Sequence, residues 1–281
     1  MQKHWGQEVL TKEEWGGASI ITAGLDIGAS SSEALIMVDN EIFSYSEMPT
    51  GGTSAEASQR VMNAALEGTG MRLEDIRYVV STGYGRLMVP FSHKTVSEIS
   101  CHARGAHWLF PNARTILDVG GQDCKSIRCN QKGKITQFLM SDKCAAGSGR
   151  SLEVIAELVS VPLEDVGMKS LEIEKEPPRV SSSCVVFAKS ESLTLLRRGV
   201  SANEILAASC DALAHTLATL IQRVGLAEDL IMTGGVTKNI GVAKRVEKLL
   251  GVKVHTCQES AGVGALGASL FARDFLAKEG R

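Results

Sequence analysis

The pattern that most restricts how this chain can fold is a carboxylate at the end of a short apolar run, followed almost at once by glycine. In mid-chain, Thr115-Ile116-Leu117 leads into Asp118-Val119-Gly120-Gly121-Gln122-Asp123, and earlier Gly24-Leu25-Asp26-Ile27-Gly28 leads into Ala29-Ser30-Ser31-Ser32. The apolar runs read as strands. Glycine lets backbone N–H groups approach an anion closely, and a carboxylate beside them can hold Mg²⁺ directly or through water. A third turn of this kind, Met232-Thr233-Gly234-Gly235-Val236, follows another strand-like run. One strand–glycine turn is most often purely structural. Three in this order form a constellation.

Around these turns the chain alternates strand and helix signals. Ala34–Val38 and Glu41–Tyr45 read as a hairpin turning at Asp39-Asn40, and Thr53-Ser54-Ala55-Glu56 reads as a capping box opening a helix to about Glu67. Arg77–Ser81 is strand-like and Ser97–Trp108 helical; within the latter, His102 and His107 share no helical face and read as packing or surface histidines. Arg114–Asp118, Cys124–Cys129 and Lys134–Leu139 repeat the strand set of residues 20–45, which suggests an internal duplication. Ser201-Ala202-Asn203-Glu204 opens a helix that stops at Gly225; Asp229–Met232 is a strand, Lys238–Leu250 a helix, Lys253–His255 a short strand and Gly264–Lys278 a last helix. Small residues in that last helix, Ala265, Gly267 and Ala268, allow a neighbour to pack closely.

With 281 residues, there is room for two domains of roughly 150 residues. A net charge of −2 gives no electrostatic case for nucleic acid or an anionic membrane, and no apolar run approaches the ~20 residues that cross a bilayer. Residues 1–19 are polar, contain Trp5 and Trp15, and read as an N-terminal extension, a mobile arm or a partner contact. There are seven cysteines and no C-x-x-C, which points to a reducing cytoplasm rather than a disulfide framework. Most of the seven should be small buried apolar residues. Two stand apart. Cys144 lies in the Gly-rich turn Asp142–Arg150 just before a helix, and Cys184 follows Ser181-Ser182-Ser183 at the start of another. A thiolate is favoured at such a position. Local sequence alone leaves both a functional and a structural role open.

The three glycine turns resemble the two phosphate loops and the adenosine loop of the actin/Hsp70/sugar-kinase ATPase superfamily. A narrower resemblance follows from Ser81-Thr-Gly-Tyr-Gly-Arg86, Ser97-Glu-Ile-Ser-Cys-His-Ala103, Asp142-Lys-Cys-Ala-Ala-Gly-Ser-Gly-Arg150, Ser181-Ser-Ser-Cys-Val-Val-Phe-Ala188 and Gly264-Ala-Leu-Gly-Ala268. With the glycine loops, these motifs resemble the activator ATPases of 2-hydroxyacyl-CoA dehydratases and the related ATPase subunits of benzoyl-CoA reductase, over roughly Ile21 to Leu276.

That resemblance implies an α/β, two-domain actin/Hsp70-like fold of duplicated ribonuclease H-like domains with a nucleotide cleft between them. Residues 20–112, completed by 264–281, would form one domain and 113–263 the other. It implies an ATPase that passes a low-potential electron from ferredoxin or flavodoxin to a dehydratase or reductase component. By resemblance, Cys144 and Cys184 are the two cysteines that each protomer gives to one 4Fe–4S cluster shared across a dimer, homo- or heterodimeric. Asp26 and Asp118 would serve Mg²⁺ and water, and with Gln122 would be the catalytic residues. Gly28, Ala29, Ser30 and Ser31, with Gly120, Gly121 and Gln122, would hold the phosphates of ATP or ADP. Gly234 and Gly235 would lie against the adenosine, with Asn239 near. The family's first loop often reads Gly-Ser-Thr-Thr-Thr-Lys, and here Ala29 and Glu33 depart from it. A small-molecule kinase of the same superfamily, with Asp118 as base, is the rival expectation, and a non-catalytic nucleotide-binding module is a third.

Overall fold

Seven consecutive residues, Ile21–Ile27, form strand β1, and every one is buried. Such a strand must be covered on both faces. Alternate side chains of β1 go to different neighbours, as the period of two requires. Ala23, Leu25 and Ile27 join Val61, Met62 and Ala65 of a helix in one apolar cluster. Thr22 bonds instead to Ser269, and a Cβ on Gly24 would meet Ala265 O at 2.0 Å. Only glycine lets the last helix lie this close to the strand.

The computed structural model describes residues 15–141, 147–181 and 184–280. In chain order the elements are β1, β2 (Ser31–Val38), β3 (Glu41–Pro49), α1 (Ser54–Leu66), β4 (Tyr78–Thr82), β5 (Lys94–Thr95), α2 (Glu98–Leu109), β6 (Thr115–Val119), β7 (Cys124–Cys129), β8 (Ile135–Ser141) and α3 (Gly149–Leu158). There follow α4 (Val166–Lys169), α5 (Val185–Arg197), α6 (Ala202–Val224), β9 (Leu230–Thr233), α7 (Ile240–Leu250), β10 (Val254–His255) and α8 (Val263–Glu279). Two compact units result. One takes the chain up to Pro111 and again from Cys257; the other is Asn112–Thr256.

The first unit is built on a sheet of order β3-β2-β1-β4-β5 and the second on β10-β9-β6-β7-β8. The two orders are the same pattern. β1 is antiparallel to β2 and parallel to β4, and β6 is antiparallel to β7 and parallel to β9. The duplication expected from the sequence is therefore present in the strand topology. Asp39 and Asn40 both take positive φ, as a type I′ hairpin turn requires, and capping boxes start α1 at Thr53 and α6 at Ser201.

Several expectations need correction. Residues 15–19, expected in the N-terminal extension, belong to the first unit: Trp15 is buried in its core, its indole N–H donates to Thr69 O at 2.9 Å, and the Asp39 carboxylate accepts from the Ser19 and Ile20 amides. The segment after the third glycine turn is a 3₁₀ turn, Gly235–Lys238, and α7 begins only beyond Asn239. Among the described residues one helix, α6, is long and apolar enough to cross a membrane; 67% of its most apolar window is buried, and Leu206, Leu213, Leu217 and Ile221 pack into the core of the second unit.

Candidate functional site

The two aspartates occupy equivalent places. Asp26 ends β1 and Asp118 ends β6, at 7% and 3% exposure, so neither carboxylate faces bulk water. A buried carboxylate needs partners. Asp26 Oδ2 lies 3.4 Å from Nε2 of His102 on α2, and a Cβ on Gly264 or Gly83 would run into the same carboxylate. Asp118 accepts from Thr233 Oγ1 at Oδ1 (3.1 Å) and from Lys125 Nζ at Oδ2 (3.3 Å).

Both glycine loops are gripped from behind by their carbonyls. In the first, Thr50 Oγ1 donates to Gly28 O at 2.8 Å and the Thr50 amide donates to Ser30 O at 2.9 Å. In the second, the first amides of α3 do this work: Gly149 donates to Gly120 O and Arg150 to Gly121 O, both at 2.9 Å, and Ser148 Oγ adds a bond to Gly121 O. In a trans peptide, C=O and the following N–H point in opposite directions. Fixing these carbonyls therefore turns the amides of Ala29 and Ser31, and of Gly121 and Gln122, away from the anchoring groups. Neighbouring N–H groups turned away from their anchors in this way can act as an anion cradle. Ala29 keeps its amide, so the missing hydroxyl removes one donor and leaves the backbone cradle in place. Ala29, Ser30 and Gln122 are exposed at the loop tips.

Gly234 turns the third loop at φ +85°, a conformation side chains avoid, and a Cβ there would meet Val119 O at 2.5 Å and Asp118 Oδ1 at 2.8 Å. The loop thus packs directly on the second aspartate, while Gly235 borders open space. Asn239 caps α7: its side-chain oxygen accepts from the Val242 amide, and its buried Nδ2 has no partner among the described residues.

Of the two singled-out cysteines, Cys144 lies outside the described residues. Cys184 is half-buried and occupies the N-cap position of α5 without making a side-chain cap bond. The helix it opens is unusual: Val186 and Phe187 are exposed at 74% and 64%, and Leu193 at 39%. Cys101, Cys124, Cys129 and Cys210 are buried, as most were expected to be. Burial pushes the Cys129 thiol up to about 11 and the Cys124 thiol up to about 12. These thiols stay protonated near neutrality and are poor metal ligands. Among the described residues no three His, Cys, Asp or Glu side chains converge as a metal cage.

Reading the sequence missed three partners of the aspartates. The sequence pattern marks His102 as a packing or surface residue, yet it meets Asp26. Thr233 and Lys125 had no assigned role. Lys125 could have been found from the duplication: seven residues separate it from Asp118, and that is its cross-strand pairing position.

The repeated sheet, with a buried carboxylate and an amide cradle at each strand end, defines an ATPase fold of the actin/Hsp70/sugar-kinase kind. A glucokinase from Streptomyces griseus shares that fold at 16% identity and a TM-score of 0.53, covering 90% of this chain and 99% of the glucokinase. At the sequence level, residues 23–272 match the model of the BadF/BadG/BcrA/BcrD ATPase family, and the chain belongs to that family. It is 43% identical to the activator of lactoyl-CoA dehydratase of Anaerotignum propionicum, over 92% of this chain and 99% of the relative. The activator of 2-hydroxyisocaproyl-CoA dehydratase from Clostridium difficile, solved with bound ADPNP, superposes with a TM-score of 0.88 at 35% identity, covering 93% and 97% of the two chains. The near relatives are thus activators rather than kinases.

Proposed function

We propose that this protein is an ATP-dependent electron activator: it hydrolyses ATP to drive an electron at low potential into a 2-hydroxyacyl-CoA dehydratase, or into a benzoyl-CoA reductase component of related chemistry. The observation that carries the proposal is nearly full-length similarity to a dehydratase activator together with two amide cradles, each beside a buried aspartate.

In this reading the loops of residues 28–31 and 120–122 bind phosphate oxygens through the amides of Ala29, Ser31, Gly121 and Gln122, and Gly234 and Gly235 lie against the adenosine with Asn239 near it. Asp26 and Asp118 would hold Mg²⁺ and water, the ion supplying positive charge beside the phosphates, with Gln122 in the second loop. The chemistry of each fits: a carboxylate at a loop end is a hard oxygen donor, and Mg²⁺ usually keeps several of its waters.

Cys184, with Cys144, would hold a 4Fe–4S cluster shared with a second protomer, which supplies a one-electron carrier. Cys184 fits such a ligand because its side chain caps no helix amide, so the first-turn N–H groups of α5 remain to face an anion. The exposed Val186 and Phe187 beside it supply apolar surface for a symmetric contact. Ferredoxin or flavodoxin would be the donor. Lifting one electron by several hundred millivolts costs roughly 2.3 kcal/mol per 100 mV, within reach of ATP hydrolysis.

The test is transfer itself. The anaerobically purified chain, reduced by ferredoxin or flavodoxin, should activate a dehydratase component only when ATP is hydrolysed. ATP hydrolysis with no electron delivered to dehydratase or reductase, or phosphate appearing on a small molecule, would overturn this reading.

A further inference from the structure

The duplication places one position of each unit directly opposite its aspartate. In the first unit the register pairs Asp26 with Glu33; in the second it pairs Asp118 with Lys125. Both partners are seven residues further along and both are buried, Glu33 at 4% and Lys125 at 3% exposure, yet they carry opposite charge. A lysine buried this deeply is rare unless it is paired. Lys125 Nζ meets two carboxylates, Asp123 Oδ1 at 2.7 Å and Asp118 Oδ2 at 3.3 Å. The two belong to different pieces of machinery. Asp118 ends the strand, whereas Asp123 closes the second loop, its carbonyl accepting the Gly120 amide at 3.0 Å.

We propose that Lys125 is a positioning residue of the ATPase reaction, its ammonium tying the Asp118 carboxylate to the loop that presents its amides to phosphate. This role rests on the ATPase reading above. Thr233 fixes one oxygen of Asp118 and Lys125 the other, so the carboxylate cannot rotate, and the shorter bond to Asp123 ties the loop to the same point. Lysine suits this better than arginine: a compact ammonium reaches two carboxylates from beneath, where a planar guanidinium would demand a flat, two-pronged partner.

The full chain, prepared anaerobically, tests the role through Lys125→Met, Lys125→Arg and Asp123→Asn. The readouts are kcat and KM for ATP, direct ADP affinity, and the Mg²⁺ concentration for half-maximal rate; thermal unfolding serves as the fold control. The expected result for Lys125→Met is a fall in kcat of at least 30-fold, with ADP affinity changed less than 5-fold and the Mg²⁺ requirement raised. Lys125→Arg should recover part of kcat. Asp123→Asn keeps Asp118 paired and should raise KM more than it lowers kcat. A folded Lys125→Met protein with kcat within 2-fold of wild type overturns the role. If Lys125→Met does not fold, Lys125→Arg and Asp123→Asn both hydrolysing at the wild-type rate and KM overturn it equally. A wild-type protein that neither hydrolyses ATP nor binds ADP overturns the ATPase reading itself, and this role with it.

Discussion

Replacing Gly264 by alanine should disable the first aspartate while leaving the fold nearly intact. Gly264 opens α8 beside β1, and an added Cβ would sit 1.9 Å from Asp26 Oδ2 and 2.9 Å from His102 Nε2. Non-bonded heavy atoms settle near about 3.5 Å, so the carboxylate must retreat by more than about 1 Å. Overpacking of this kind costs about 1–3 kcal/mol, offset by up to about 1 kcal/mol that alanine gains over glycine in a helix. The net loss of stability should be about 1–2 kcal/mol, leaving a folded protein. Activity responds differently, because a displacement of about 1 Å at a catalytic group costs on the order of 100-fold in rate, or about 2.7 kcal/mol. Steady-state ATP hydrolysis by Gly264→Ala, with Gly17→Ala as a control whose added Cβ meets nothing within 4 Å, measures this. A folded Gly264→Ala protein with kcat within 3-fold of wild type would show that Asp26 does no work in hydrolysis.

Three further outcomes follow. Trp15→Ala removes a buried indole and its bond to Thr69 O, and should cost about 3–5 kcal/mol in denaturant unfolding; a loss under 1 kcal/mol would return residues 15–19 to a dispensable arm. Glu33→Lys places a cation opposite Asp26, as Lys125 stands opposite Asp118, and should change kcat for ATP while altering ADP affinity less than about 5-fold by calorimetry; an unchanged kcat would show that the residue opposite Asp26 does not position it. Thiols at Cys124 and Cys257, held up to about 12, and at Cys129, up to about 11, favour the folded state while protonated. The unfolded chain gives up these protons from about pH 9, so stability should be level below pH 8 and fall as pH rises through 9 to 11. A Tm unchanged between pH 7.5 and 10.5 would contradict that.

Most of the architecture was legible because it is local. Strand runs, the Asp39-Asn40 turn and the two capping boxes each act through neighbours in sequence, and all three appear where the residue pattern places them. The aspartates were legible too, since a buried carboxylate before glycine is an unusual expense for a core. Their partners were not, because His102 and Thr233 reach them across 76 and 115 positions of chain. Trp15 was misjudged for the same reason: its polar neighbours in sequence said arm, while Thr69, 54 residues away, holds it in the core. Lys125 is the intermediate case, readable only once the hairpin register is known.

The central claim, that ATP chemistry serves a redox centre held by two cysteines from each of two protomers, is tested most directly by iron content. Iron and acid-labile sulfide should be determined on the anaerobically purified protein, alongside EPR of the reduced protein. A shared 4Fe–4S cluster predicts about two irons per chain and a reduced-cluster signal, both lost in Cys184→Ser while the variant remains folded. Iron-free wild-type protein with full ATPase activity, or a Cys184→Ser variant that keeps its iron, would contradict it.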